Sequence, residues 1–159
     1  SITPAGIVVH HSAVPLDYVG GQINADSLDK LHALRGYGIF YWGRTYHIGY
    51  HYVILPDGTI QQGRPERCRG AHARGHNSYL GICLVGDFSQ TNNASGHNGP
   101  ETPTREQMRA LVELIRQLQH RYHLSLNDTV RHRDVDPGTE CPGDRFPFDQ
   151  LQKEVQIAP

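Results

Sequence analysis

The apolar residues of this chain come in short runs, each closed by turn-forming residues. Gly6-Ile7-Val8-Val9-His10-His11-Ser12 is one such run, ending in polar side chains with Pro15 soon after. Leu80-Gly81-Ile82-Cys83-Leu84-Val85, stopped by Gly86, is a second. Runs of this length, rich in β-branched residues and bounded by Gly or Pro, read as buried strands. Tyr50 to Leu55 supplies a third. Behind it, Pro56-Asp57-Gly58 is turn chemistry leading into Thr59 to Gln62, which predicts a β-hairpin. Thr129 to His132 predicts one further short strand.

Helical patterning sits between these strands. Asn24 is placed to cap a helix from about Ala25 to Leu34, ended by Gly36, with Leu28, Leu31, His32 and Leu34 towards one side. The strongest helical signal follows Pro103. Thr104 is its cap, Gln107 stands three residues later as in a capping box, and Met108, Leu111, Val112, Ile115, Leu118 and Tyr122 recur at a helical period. Phe148 to Val155 predicts a closing helix, and Ser89 to Thr102, rich in Asn, Ser and Gly, an exposed loop. Strands and helices mixed along one chain predict an α/β domain with a central mixed β-sheet flanked by helices. At 159 residues, residues 1–159 fit a single domain with its own core.

Fifteen basic residues against sixteen acidic ones leave a formal charge of -1. That balance offers no footprint for nucleic acid or an anionic membrane. No apolar run reaches transmembrane length, so no membrane insertion is expected, and no signal peptide is visible at the start. Eleven histidines are many for this length, and three cysteines, Cys68, Cys83 and Cys141, are an odd number. Disulfide pairing alone would leave one thiol over.

Metal-capable side chains concentrate in two places. One is the His10-His11 pair at the end of the first strand. The other is Arg131-His132-Arg133-Asp134 through Cys141-Pro142-Gly143, where a loop with Pro137, Gly138 and Pro142 can fold back on itself. Zinc favours imidazole and thiolate, and catalytic zinc keeps three protein ligands and an open position. Two neutral imidazoles and one thiolate leave a formal charge of about +1 on zinc, which preserves its Lewis acidity; a four-thiolate structural site would cancel it. Neighbouring strand residues point to opposite faces, so at most one of His10 and His11 readily faces a metal. The residues alone do not choose between them, nor between ligation and packing.

The ordered set of segments resembles the type 2 N-acetylmuramoyl-L-alanine amidases, the superfamily that includes phage amidase-type lysozymes and peptidoglycan recognition proteins. The segments are Ile7-Val8-Val9-His10-His11-Ser12-Ala13, Ile48-Gly49-Tyr50-His51-Tyr52-Val53-Ile54 with Asp57-Gly58-Thr59-Ile60, and Gly63-Arg64. Gly70-Ala71-His72, Gly75-His76-Asn77, Leu80 to Gly86, Arg131 to Asp134 and Cys141-Pro142-Gly143 complete it. The resemblance implies a substrate groove at one edge of the sheet and one zinc ion on His10, His132 and Cys141. It implies catalytic roles for Tyr50 and Thr139 and a groove position for His72. The aromatic stretch Tyr37 to Arg44, with Trp42, is a candidate groove wall. The implied activity is zinc-dependent hydrolysis of the amide between N-acetylmuramic acid and L-alanine in peptidoglycan. The implied setting is the cell wall, periplasm or extracellular space, as a monomer, with a phage lysin among the possible sources.

Departures place the chain within that superfamily. The cytoplasmic recycling amidases carry a glutamate on the strand that here reads Ile82-Cys83-Leu84-Val85, and end with an aspartate ligand. Many recognition proteins bind muropeptides without cleaving them and lack the cysteine, so Cys141 together with Tyr50 favours the enzyme over a binding module. An unrelated domain with a stabilising zinc predicts unfolding on chelation. His47, His51, His76, His97, His120 and His123 read as packing or surface groups, Cys83 as a buried thiol, and Glu140 as a solvated loop charge.

Overall fold

Strand β1, Ile7–His11, is buried along its whole length. The reason is its position: β6, Leu80–Leu84, lies parallel on one side and β7, Thr129–Arg131, parallel on the other. A strand covered on both faces and both edges reads as a continuous apolar run, as β1 and β6 do. The fold is described from a computed structural model, which covers residues 1–18 and 20–157.

Beyond β6 lie β4, Tyr52–Ile54, in parallel, and β5, Ile60–Gln62, antiparallel to β4 through the Pro56-Asp57-Gly58 turn. The sheet order is β5-β4-β6-β1-β7, a mixed sheet as the sequence predicted, with the second apolar run at its centre. Alternation along the strands divides the core in two. Ile7, Val9, Ile54, Leu80, Ile82 and Leu84 face α2, Arg105–Tyr122, and α4, Phe148–Ile157. Val53, Leu55, Cys83 and Val85 face the layer of α1, Ala25–Leu34. Both predicted caps are present: Asn24 accepts from the Ser27 amide and Thr104 from the Gln107 amide, each with the reciprocal bond of a capping box.

The aromatic stretch before Tyr50 folds into a separate hairpin of β2, Ile39–Tyr41, and β3, Arg44–Tyr46. Trp42 (φ 51°) and Gly43 (φ 80°) form its tip, the two positive φ values that a tight hairpin turn asks for. No helix among the described residues is long and apolar enough to cross a membrane.

Four expectations need adjusting. Leu34 is 82% exposed, because at 3.6 residues per turn it lies about 120° around the helix from Leu28. Tyr50 precedes β4 rather than lying on it. His132 leaves the strand and opens a short helix, α3, His132–Val135. The 89–102 segment is a loop but only partly exposed. Asn93 is buried and donates to the carbonyls of Asp87 and Gly99, while Asn98 donates to the Asp87 carboxylate.

Candidate metal centre

Because β1 and β7 run parallel side by side, their carboxyl ends open on the same edge. His10 sits near the end of β1 and His132 directly after β7. The chain then turns back. Arg133 N–H donates to the Cys141 carbonyl at 2.9 Å, and Cys141 N–H donates to Thr139 Oγ1 at 3.1 Å. These bonds bring Cys141 under the two imidazoles. One ligand atom from each of His10, His132 and Cys141 lies within 4.8 Å of the others. Cys141 Sγ is 3.7 Å from Nδ1 of His10, which identifies the ring nitrogen that faces the cluster.

Burial sets the electrostatics. Desolvation, followed by His72 and His132, holds His10 well below the ordinary imidazole value. Desolvation also lowers His132, partly opposed by Asp136. Burial pushes the Cys141 thiol up to about 12, against a hydrogen bond to Sγ from the His11 amide at 3.3 Å. Two neutral imidazoles and a buried sulfur with an N–H aimed at it make a donor set that a divalent cation completes, since a coordinating thiol is deprotonated outright. The chemistry of this set fits zinc, and no carboxylate joins it among the described residues.

His11 faces the other way, as alternation requires. Its Nδ1 accepts from the Phe88 amide at 3.0 Å. That bond places no hydrogen on Nδ1, and burial carries the ring pKa to about 4, so the 3.6 Å approach to Asp87 is not an ion pair at neutral pH.

Tyr50 packs against His10, ring centroids 5.0 Å apart, and against His32 at 5.4 Å. Burial keeps its phenol protonated and therefore a donor. Thr139 spends a lone pair on the Cys141 amide and retains its O–H hydrogen to donate. His72 touches His10 directly, Nδ1 to Nε2 at 2.9 Å. It also lines a cleft of about 360 Å³ with Tyr37, Arg69, Ala71, Arg74 and Asn77. A larger concavity, about 420 Å³, between α1, β3 and β5 includes none of these metal-type residues. Trp42 stands at the hairpin tip, 89% exposed, with Tyr41 as its ring neighbour and outside the cluster of rings around His10. His51, one of the histidines read as packing or surface groups, is buried with both ring nitrogens bonded.

Fold and site together define a class: a mixed-sheet α/β domain with two imidazoles and a thiol at the carboxyl edge of its parallel strands. The family model described as N-acetylmuramoyl-L-alanine amidase matches residues 1–144, and the chain belongs to that family. The endolysin of Klebsiella phage KP32 is 35% identical over 96 residues, 60% of this chain and 58% of the endolysin. The human N-acetylmuramoyl-L-alanine amidase is 30% identical over 158 residues, covering 94% of this chain and 24% of that protein. Among solved structures, N-acetylmuramoyl-L-alanine amidase LysC from Clostridium intestinale URNW superimposes with a TM-score of 0.75 at 35% identity, covering 99% of this chain and 88% of that one.

Proposed function

We propose that this chain hydrolyses the amide between N-acetylmuramic acid and L-alanine in peptidoglycan, with one zinc ion on His10, His132 and Cys141. The observation that carries this reading is the convergence of those three donor atoms within 4.8 Å, in a chain of the amidase family. Zinc bound there supplies a Lewis acid and a nucleophilic water of near-neutral pKa.

The chain's own residues supply the rest. The protonated phenol of Tyr50 donates to the oxygen that gains charge as the scissile carbonyl becomes tetrahedral. Thr139, held beside Cys141, adds a second donor or orients the attacking water. A donor in such a role is worth about 2.7–4 kcal/mol. Arg69 and Arg74, exposed at the cleft beside His72, offer cationic partners for carboxylates of a stem peptide. The reading places the protein at the cell wall, as a lysin or a remodelling enzyme.

The experiment is a zinc measurement on the purified protein and on Cys141→Ser, with release of free L-alanine amino termini from peptidoglycan as the assay. The serine variant is expected to lose zinc and to fall more than about 100-fold in activity, beyond the cost of losing a supporting residue. Full zinc content with unchanged release in that variant would sink the ligand assignment. Muropeptide binding by the wild type without release would point to a recognition module instead.

A further inference from the structure

His72 lies outside the triad yet fixes one member of it. Its Nε2 faces the carbonyl oxygen of Tyr79 at 2.8 Å. A carbonyl only accepts, so the hydrogen of a neutral His72 sits on Nε2 and Nδ1 is left as a bare acceptor. That Nδ1 is 2.9 Å from Nε2 of His10. His10 must then donate, which makes it the Nε2–H tautomer with its lone pair on Nδ1. Nδ1 is the nitrogen that faces Cys141.

We propose that His72 is a positioning residue that holds His10 in one tautomer and one ring orientation, so that Nδ1 is presented to the metal. The link to the metal rests on the zinc reading above; the tautomer does not.

The surroundings leave His72 no alternative pose. Its backbone amide and that of Ala73 both donate to Asn77 Oδ1, at 2.8 and 3.0 Å. Gly70 and Gly81 press on the ring: a Cβ at Gly70 would stand 2.4 Å from its Cδ2. His51 packs edge-on at 5.7 Å and is itself pinned, accepting from the Gly81 amide and donating to the Cys68 carbonyl. The His72 ring is thus enclosed by His10, His51, Gly70 and Gly81. Turning it over would break both of its bonds. With both nitrogens engaged, a polar contact from His72 to substrate would cost one of them.

The choice of partner also matters chemically. Metal-bound histidines commonly donate their second N–H to a carboxylate or carbonyl, which fixes the ring and raises its basicity. A carboxylate at this place would add a negative charge beside the metal. A neutral imidazole fixes the ring and adds none, so the site keeps the net positive charge that Lewis acidity needs.

The first test is imidazole nitrogen NMR on the metal-free wild type at neutral pH. His10 is expected with its proton on Nε2 and a bare Nδ1; a proton on Nδ1, or a mixture, overturns the proposal. The second test is zinc affinity, by competition with a chromophoric chelator, for wild type, His72→Leu and His72→Asn. Asparagine puts an amide oxygen where Nδ1 stood and still accepts from His10; leucine cannot. Leucine is expected to weaken zinc binding about 10–100-fold, with asparagine keeping most of the affinity. Equal affinity in leucine and wild type overturns the proposal, and so does equal loss in both variants, which is what a purely structural role predicts. If His72→Leu fails to fold, the wild-type tautomer and the asparagine variant decide. A wild type that binds no zinc removes the metal reading while the tautomer is still measured.

Discussion

A methyl group on Gly81 would stand 2.6 Å from Cγ of His72 and 2.9 Å from its Nδ1. The ring cannot swing aside as a flexible chain would, because both its nitrogens are bonded. Gly81→Ala is therefore expected to cost about 1–3 kcal/mol, the usual range for overpacking a filled interior. Urea unfolding measures that cost. Zinc affinity should fall in the same variant, because His72 carries the strain to His10; a destabilised variant with unchanged zinc affinity would separate the two. Metal-type residues were readable here and their wiring was not. Cys141 and His132 announce themselves by residue type, and strand alternation puts His10 and His11 on opposite faces. Only the family resemblance chose between them, and the structure then gave each a different neighbour. The bond between His10 and His72 joins residues 62 positions apart. Nothing local in the sequence records which ring nitrogen meets which.

At the scale of elements, Gln107 does more than its capping box indicates. It is buried, and its Nε2 donates to the carbonyls of Ile54 and Val85 at 3.1 and 2.9 Å while Oε1 accepts from the Thr104 amide. The first turn of α2 is thereby tied to the carboxyl ends of β4 and β6. Thr104 adds a bond from its hydroxyl to the Pro56 carbonyl in the hairpin turn. Ile54 keeps a second partner in the Val85 amide, so truncation leaves the Val85 carbonyl as the main orphan. Gln107→Ala is expected to destabilise by about 2 kcal/mol, within the cost of a buried polar group left unpaired. A lower urea midpoint with an unchanged slope supports this; a loss of only a few tenths, the size of an ordinary surface change, refutes it. The helix and its cap were legible because spacing and cap chemistry are local. The docking role was not, since a glutamine at that position reads the same whether its amide meets water or a strand end. The 89–102 loop misled for a related reason. Its Asn and Ser content signals turns, while the burial of Asn93 and Asn98 depends on Asp87 and on the carbonyl of Gly99, pairings that the pattern does not reveal.

For the whole molecule, buried neutral histidines set the response to acid. His32 accepts from the Gly49 amide through Nδ1, and His51 accepts from the Gly81 amide through its own Nδ1. Protonating either nitrogen turns an acceptor into a second donor facing an N–H. Burial first, then the cations Arg35 and Arg64 around His32, brings that ring from the ordinary 6.5 to about 4. Burial, partly offset by the bond to Cys68, does the same for His51, also to about 4. A folded pKa below the unfolded one means that the unfolded chain binds protons first as pH falls. Stability is thus complete above about pH 6.5 and drains away towards pH 4, by up to about 3 kcal/mol for each histidine at 1.36 kcal/mol per unit. Glu66 acts later. Burial opposes its charge, but hydrogen bonds from Arg121, Tyr122 and Tyr52 outweigh that and hold it below the ordinary carboxylate value. Its contribution is complete above the ordinary carboxylate value and drains away as pH falls from there towards its own lower one. Domains of this kind have about 5–15 kcal/mol to lose, so the two histidines alone take a large share. The urea midpoint of the metal-free protein should therefore decline between about pH 6.5 and pH 5, before carboxylates titrate, with a slope that corresponds to uptake of more than two protons on unfolding, because burial holds down His10 and His11 as well as His32 and His51. A midpoint flat down to about pH 5 would show that His32 and His51 are protonated in the folded state, and that their Nδ1 atoms do not accept the bonds assigned to them.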